Sequence, residues 1–208
     1  MAIPCMENPV HRITITIARI LVLSRWRSFT AQQRLPGYGK FSCILLLLIS
    51  FHTAVIAQPA EDYAIHANII YHFTKYINWP DDKKNGDFII GIAGDTPLYE
   101  KLLACIGTKT VGNQKIIVKK IPPNSTSFNC HILFIGDDES LRFKKIAAAM
   151  QGTPTLLVSE TEGLARRGSC INFVIVHERL KLEINKKTIE QHHLSIATEL
   201  LNLGIPVN

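Results

Sequence analysis

Polar side chains that could perform chemistry stand at the ends of three apolar runs of the chain. Asp95, the pair Asp137 and Asp138, and Ser159 each follow such a run. If the runs are parallel strands, their carboxyl ends line the usual ligand crevice of an open α/β sheet. Asp95, Asp137 and Ser159 are therefore predicted to line a ligand crevice. Helix capping is the favoured role for the three aspartates, since short acidic side chains suit that position.

The same residues bear a partial likeness to two other kinds of site. An acidic pair near a serine is similar to a phospho-acceptor site that holds Mg²⁺, but the lysine that such a site needs after a later strand has no clear counterpart. Gly91 and Gly94 stand at a strand end without the spacing or the lysine of a nucleotide-binding loop. No Ser-His-Asp order or nucleophile elbow is present. We therefore predict a protein that is not an enzyme and has no catalytic, cofactor-binding or metal-ligating residues.

Histidines and cysteines lack the spacing of metal sites. After residue 57 the histidines follow neither HExxH nor H-x3-H, and no CxxC occurs. Cys105, near the end of a predicted helix, and Cys130, at the start of a predicted strand, fall on the same edge of a parallel sheet. A bridge between them would close a loop of about 25 residues and stabilise the fold by roughly 3 kcal/mol. Cys170 would then be a buried thiol.

The apolar pattern alternates between helices and strands. Residues 61–78 have helical spacing that ends before Pro80. Thr96 and Pro97 are typical of a helix start, and Gly168 of a stop. Predicted strands cover 87–93, 115–121, 130–135, 155–158, 170–176 and 180–184, and predicted helices cover 96–106, 137–150 and 186–203, with a division at Ser195. This order predicts an α/β fold with a mainly parallel sheet, helices on both faces and a C-terminal antiparallel hairpin.

The segment 34–60 predicts where the chain works. Basic residues Arg34 and Lys40 precede an apolar run of eleven residues, and Val55-Ile56-Ala57 supplies small residues for cleavage after Ala57. A membrane anchor is disfavoured because a spanning helix needs about 20 apolar residues. We predict a cleaved signal peptide with a preceding extension over residues 1–57, one domain over 58–208, and a periplasmic location. The mature chain is not expected to span a membrane.

The excess positive charge lies mainly in the segment that cleavage removes. Residues 1–57 hold six of the 23 basic and one of the 17 acidic residues, which leaves 17 and 16 in the rest. A net charge of about +1 gives no basic stripe for phosphates, so nucleic acid is not an expected partner. A location outside the cytoplasm also disfavours a phospho-acceptor role, because phosphate donors are cytoplasmic.

Several segments together resemble the YfiR family of periplasmic regulatory proteins. They are FTKYINWP at 73–80, GDTPL at 94–98, CHILFI at 130–135, LLVSE at 156–160 with Gly163 and Gly168, INF at 171–173 and LEIN at 182–185. The resemblance extends over about 61–204. It implies a Rossmann-like three-layer sandwich without a cofactor. It also implies disulfide control of stability and of homodimer formation.

The resemblance assigns roles to particular residues. Cys130 matches a family cysteine, but the position expected to pair with it falls near Ile90 and Gly91, where no cysteine stands. Cys105 is therefore a substitute candidate. Glu183 and Ile189 match a stretch expected on a partner surface.

The resemblance implies a non-enzymatic regulator that binds and restrains the extracytoplasmic domain of an inner-membrane signalling protein of the diguanylate cyclase type. Its release would raise cyclic-di-GMP and promote biofilm formation. The alternative is a periplasmic small-molecule binding module that feeds a sensor kinase.

Overall fold

The computed structural model describes residues 63–207, so the predicted signal peptide and the boundary after residue 57 lie outside the described residues. The α-helices are α1 (Tyr63–Tyr76), α2 (Leu98–Ile106), α3 (Phe143–Met150), α4 (Lys186–Gln191) and α5 (Thr198–Leu203). Short 3₁₀ helices span Asp81–Lys84, Asp137–Arg142 and Ala165–Arg167. The strands are β1 (Ile77–Asn78), β2 (Phe88–Ala93), β3 (Thr110–Val111), β4 (Gln114–Ile121), β5 (Ile132–Ile135), β6 (Leu156–Ser159), β7 (Ile171–Val176), β8 (Arg179–Ile184), β9 (Ser195–Ile196) and β10 (Ile205–Pro206).

The described residues form an eight-stranded sheet with the order β10-β8-β7-β6-β5-β2-β4-β3. The pairs from β4 through β2, β5 and β6 to β7 are parallel. The β7–β8 and β3–β4 pairs are antiparallel hairpins, and β10 adds a parallel strand beyond β8. The α/β prediction with a mainly parallel sheet and a late hairpin is therefore confirmed.

The two middle strands are buried on both faces. All four residues of β5 and all four of β6 are buried, and β2 is buried at five of its six positions. A strand whose alternate side chains are both shielded must have material on each side of the sheet. This burial agrees with helices on both faces and with a Rossmann-like three-layer arrangement.

Local sequence signals explain where the elements begin and end. The hydroxyl of Thr96 accepts a hydrogen bond from the Leu98 N–H at 3.3 Å, but α2 begins at Leu98 with Pro97 at its N-cap position, two residues after the predicted bound of 96. The two-residue turn between β7 and β8 has positive φ at His177 (49°) and Glu178 (60°), which matches the right-handed twist of a tight hairpin. Ser195 lies in the short strand β9 between α4 and α5, and it divides the C-terminal segment as predicted.

Two aromatic residues of the segment formed by α1 and the residues after it lie in the core. Phe73 is fully buried, with its ring centroid 6.3 Å from that of Phe173 on β7, and Trp79 is 5 % exposed. Tyr71 and Tyr76 are half-buried at its margin. Core packing, the favoured interpretation of this stripe, is confirmed for Phe73 and Trp79. Within residues 63–207, no helix has both the length and the apolar character that crossing a bilayer requires.

Candidate functional site

The carboxyl edge of the sheet, formed by the ends of β2, β5 and β6, is braced by acidic side chains. Asp138 Oδ2 accepts a hydrogen bond from the Asp95 N–H at 2.9 Å, which ties the loop after β5 to the loop after β2. Gly94 makes this approach possible. It has a φ of +107°, and a Cβ there would lie 2.2 Å from Asp138 Oδ1.

A second pair of contacts joins the loops after β5 and β6. The Asp137 N–H donates to Glu160 Oε1 at 3.1 Å, and the Thr161 hydroxyl donates to Asp137 Oδ1 at 2.7 Å. The carboxylates of this edge thus take backbone N–H and hydroxyl donors from neighbouring loops. The predicted capping role is corrected for Asp137 and Asp138, because Gly136 occupies the N-cap position of the 3₁₀ helix and neither aspartate side chain caps it.

Ser159 does not line the predicted crevice. It is fully buried, and its hydroxyl donates to Asn172 Oδ1 at 2.6 Å and lies 2.8 Å from the Ser169 hydroxyl. Asn172, also buried, in turn donates to Glu183 Oε2 at 3.1 Å. The prediction for Ser159 is corrected. Its position at the last residue of a strand buried on both faces turns it inward, where it needs polar partners.

The order of the parallel strands shows where a ligand crevice would lie. The five parallel strands lie side by side in the order β4-β2-β5-β6-β7. The strands that follow β2 along the chain lie on both sides of it, β4 on one side and β5 on the other, so the switch point of the sheet lies between β2 and β5. At this point the Asp138 carboxylate occupies the space above Gly94 and Gly136, approaching to 3.0 Å of a Cβ built on Gly136. The structure therefore brings the loops of Asp95 and Asp137 together around a side chain of the protein itself.

The opposite, amino edge is centred on His131, which precedes β5. Nδ1 of this ring accepts the Ile89 N–H at 3.0 Å, so Nε2 carries the proton and donates to the Lys83 carbonyl at 2.8 Å. The imidazole stacks on Phe88 with centroids 4.4 Å apart. His131 is 5 % exposed, and burial is the main cause that lowers its pKa. The sequence pattern predicted no particular role for this histidine.

Other side chains hold the same edge through backbone carbonyls. The Trp79 indole N–H donates to the His131 carbonyl at 3.2 Å, and the Thr155 hydroxyl donates to the Cys130 carbonyl at 2.7 Å. His192 Nδ1 lies 2.9 Å from the Thr153 carbonyl, and burial lowers its pKa as well. Hydrogen bonds from aromatic ring nitrogens and a threonine hydroxyl to backbone groups thus connect the segments at the starts of β2, β5 and β6.

The three described cysteines are free thiols. Half-buried Cys105 has its sulfur 3.2 Å from Asn68 Oδ1, whereas Cys130 is buried, with its sulfur 3.9 Å from the Phe128 carbonyl. Burial raises the pKa of Cys130 to about 12, although the charge of Lys83 and the nearby backbone of Gly91 oppose this shift. Cys130 thus lies beside Gly91, the position at which the resemblance would place its partner. The Cys105–Cys130 bridge is not formed among the described residues and stays a prediction.

Burial also raises the pKa of Cys170 to about 12. This thiol is fully buried, as predicted from its place in an apolar strand.

The two residues of the expected partner surface differ in exposure. Glu183 is half-buried on β8. Ile189 is 0 % exposed in α4, where it packs in the core. The prediction is therefore corrected for Ile189, whose side chain supports the surface from inside.

Glu183 lines a groove of about 320 Å³ whose acidic side chains are Glu160, Glu162 and Glu183. Its apolar wall is formed by residues of β7 and by one residue of β10: Phe173, Val174, Ile175, Val176 and Ile205. Ile175 is 60 % exposed and Ile205 is 39 % exposed. This acidic groove combines apolar contact with negative charge, which suits a protein partner. No group of three or more His, Cys, Asp or Glu within residues 63–207 is placed to hold a metal ion.

The fold and these sites define an α/β domain whose polar edge residues mainly bind backbone groups of the domain itself. The chain belongs to the YfiR/HmsC-like family, whose model matches residues 63–205. The resemblance seen in the sequence is thereby confirmed, and membership is consistent with a role as a periplasmic regulator. No curated protein matches the chain.

Proposed function

We propose that this protein is a periplasmic, non-enzymatic regulator that binds and restrains the extracytoplasmic domain of an inner-membrane diguanylate cyclase. The observation that carries the proposal is the family match, which extends over nearly every described residue. At the carboxyl edge, the geometry favours a structural role of the carboxylates over a catalytic one. The carboxylates of Asp138 and Glu160 accept backbone hydrogen bonds within the protein.

We place the partner surface at the acidic groove beside Glu183. The buried pair Ser159 and Asn172 fixes one oxygen of this carboxylate from inside the fold. A side chain held in this way loses little conformational freedom when a partner binds, which favours affinity. Exposed Ile175 and Ile205 supply apolar area next to the charge.

The test compares cyclic-di-GMP in cells with and without the gene. Deletion should raise the cyclic-di-GMP level, and expression of the wild-type chain should return it to the level of cells that carry the gene. Glu183→Gln keeps an oxygen for Asn172 but removes the charge, so we expect this variant to lower the cyclic-di-GMP level less than the wild-type chain does. Glu178→Gln is the matched control because Glu178 is an exposed glutamate in the adjacent hairpin turn.

Two outcomes would count against the proposal. Unchanged cyclic-di-GMP after deletion would overturn the regulatory function itself. Full restoration by Glu183→Gln would instead overturn the placement of the partner surface at the groove. A chain without residues 1–57 should fail to restore, since we propose that this segment directs export.

A further inference from the structure

The outer side of β4 is a strand edge that lies across the sheet from the acidic groove. β3 pairs with β4 at Gln114 and Lys115, and β2 pairs with its inner side from Ile116 to Ile121. Among residues 63–207, no strand pairs with the outer side of the stretch from 116 to 121, which we call the β4 edge. Such an edge is a template for another strand.

The register shows which backbone groups this edge presents. The N–H of Ile89 donates to the His131 ring, and its C=O accepts from the His131 N–H, so the backbone groups of Ile89 point toward β5. The direction of the backbone groups alternates along a strand, so the N–H and C=O groups of the alternate residues Ile90 and Ile92 point toward β4. With Ile90 opposite Val118, alternation turns the N–H and C=O groups of 116, 118 and 120 outward.

The charged side chains of β4 and of the segment before it are mainly positive. Between residues 98 and 121 there are five lysines and a single acidic residue, Glu100. Lys115, Lys119 and Lys120 are exposed, and the Lys120 ammonium lies 4.7 Å from the centroid of the Tyr99 ring. Half-buried apolar residues lie beside these lysines in the strand: Ile117, Val118 and Ile121.

These features select among the strands that could dock. A second copy of β4 would bring lysines close to lysines, and like charges on paired strands are destabilising. An extended segment with acidic and apolar residues in alternation would place carboxylates near the lysines. Its backbone would also satisfy the outward N–H and C=O groups.

We propose that the β4 edge docks an extended acidic segment of a partner protein by strand addition. This surface is separate from the acidic groove at Glu183, and it goes beyond the proposed regulatory function. Its charge is opposite to that of the groove, so the two surfaces suit partner segments of opposite charge.

The test uses a synthetic peptide of about ten residues with alternating Glu and Val, and fluorescence anisotropy with the purified protein. The Glu-Val peptide should bind. A Glu-Pro peptide of the same charge should not bind, because proline cannot donate the ladder hydrogen bonds. A Lys-Val peptide should also fail. Equal binding of the Glu-Val and Glu-Pro peptides would overturn strand addition.

A matched pair of variants separates charge from backbone pairing. Lys120→Ala and Lys120→Pro both remove the charge, but Lys120→Pro also removes an outward N–H and leaves the bonds to β2 in place. Lys120→Ala should weaken peptide binding about threefold. Lys120→Pro should weaken it by about tenfold more, as expected for one lost hydrogen bond. Equal weakening by the two variants would overturn the proposal.

A measurement on the wild-type protein covers the case in which Lys120→Pro does not fold. The Glu-Val peptide should slow hydrogen exchange at the amides of Ile116 and Val118, and unchanged exchange there would overturn the proposal. Sedimentation without peptide tests the rival occupant, since a dimer that Lys120→Pro dissociates would assign the edge to a second copy. Glu183→Gln should leave peptide binding unchanged, so this test and that of the proposed function fail independently.

Discussion

At both ends of the parallel sheet, side chains form hydrogen bonds with backbone groups of neighbouring segments, but the two ends use different side chains. At the carboxyl edge, exposed Asp138 and half-buried Glu160 accept backbone N–H groups of the neighbouring loops. At the amino edge, buried His131 accepts one backbone N–H and donates to one backbone carbonyl. A buried hydrogen bond costs more to lose than an exposed one, because no water replaces the missing partner. The amino edge should therefore be the more sensitive end of the sheet.

The largest expected effect comes from removing the imidazole at the amino edge. His131→Ala leaves the Ile89 N–H without its acceptor and removes the ring that stacks on Phe88. Together with the cavity, this loss should lower the free energy of unfolding by about 3–4 kcal/mol. Urea denaturation followed by circular dichroism measures the change.

His131→Asn is the matched variant for this prediction. Its side-chain oxygen can replace Nδ1 as the acceptor for Ile89, and the Lys83 carbonyl keeps a second donor, Gln114 Nε2 at 3.0 Å. We therefore expect a loss of only about 1 kcal/mol. Equal losses for the two variants would show that ring packing, rather than the hydrogen bond to Ile89, stabilises this edge.

A smaller effect is expected at the carboxyl edge from Gly94→Ala. The new Cβ would displace the Asp138 carboxylate, and the positive φ of residue 94 would strain any side chain. We expect the free energy of unfolding to fall by about 2–3 kcal/mol. Gly163→Ala is the control, because Gly163 has a φ of +81° with no atom within 4 Å of the added Cβ.

A double-mutant cycle isolates the contact with Asp138. Asp138→Ala alone should cost about 1 kcal/mol, and Gly94→Ala combined with Asp138→Ala should cost less than the sum of the two single changes. Additive losses would mean that backbone strain alone explains Gly94→Ala. A loss at Gly94 that exceeds the loss for His131→Ala would reverse the comparison between the two edges.

The effect that is smallest at neutral pH is a pH dependence of stability that belongs to the amino edge. Burial lowers the pKa of His131 and of His192 below 6.5 in the folded protein, so the unfolded chain binds more protons once the pH falls below that value. Stability should therefore be constant in this respect above pH 6.5 and decline below it. Each histidine contributes at most about 1.4 kcal/mol per pH unit.

Urea denaturation between pH 5 and pH 8 measures this slope. His131→Asn should be less stable than the wild type at pH 7.5, and its stability should decline less steeply toward pH 5. The same slope in both proteins would exclude His131 as a source of the pH dependence.

The strands were predictable because an unbroken run of apolar residues indicates a strand that is buried on both faces. Residues 87–93 and 155–158 indicated buried strands, and the structure has β2 and β6 there within one residue at each end. The stop at Gly168 and the division at Ser195 follow from local backbone preferences. These features depend on near neighbours in the chain, so a single sequence contains them.

The roles of polar residues were less predictable, because they depend on residues distant in the sequence. Asp138 was expected to cap its own helix, but its partner is the Asp95 N–H, 43 positions away. Ser159 was expected at a crevice and Ile189 at a surface, yet both are fully buried. The burial of Ser159 cannot be derived from the type of residue, because it is decided by the elements that pack against it, whereas the burial of Ile189 is ordinary for an isoleucine.

The sequence by itself determined the α/β class, the main buried strands and the family, because hydrophobic periodicity, turn residues and the order of short motifs are properties of the chain. The tertiary structure alone decided which loops meet at each edge of the sheet. It placed His131 under the start of β2, it filled the switch point with the Asp138 carboxylate, and it set the lysines of the β4 edge across the sheet from Glu183. The physical reason is that strand order joins segments far apart in the chain, and strand order is fixed by packing of the whole sheet.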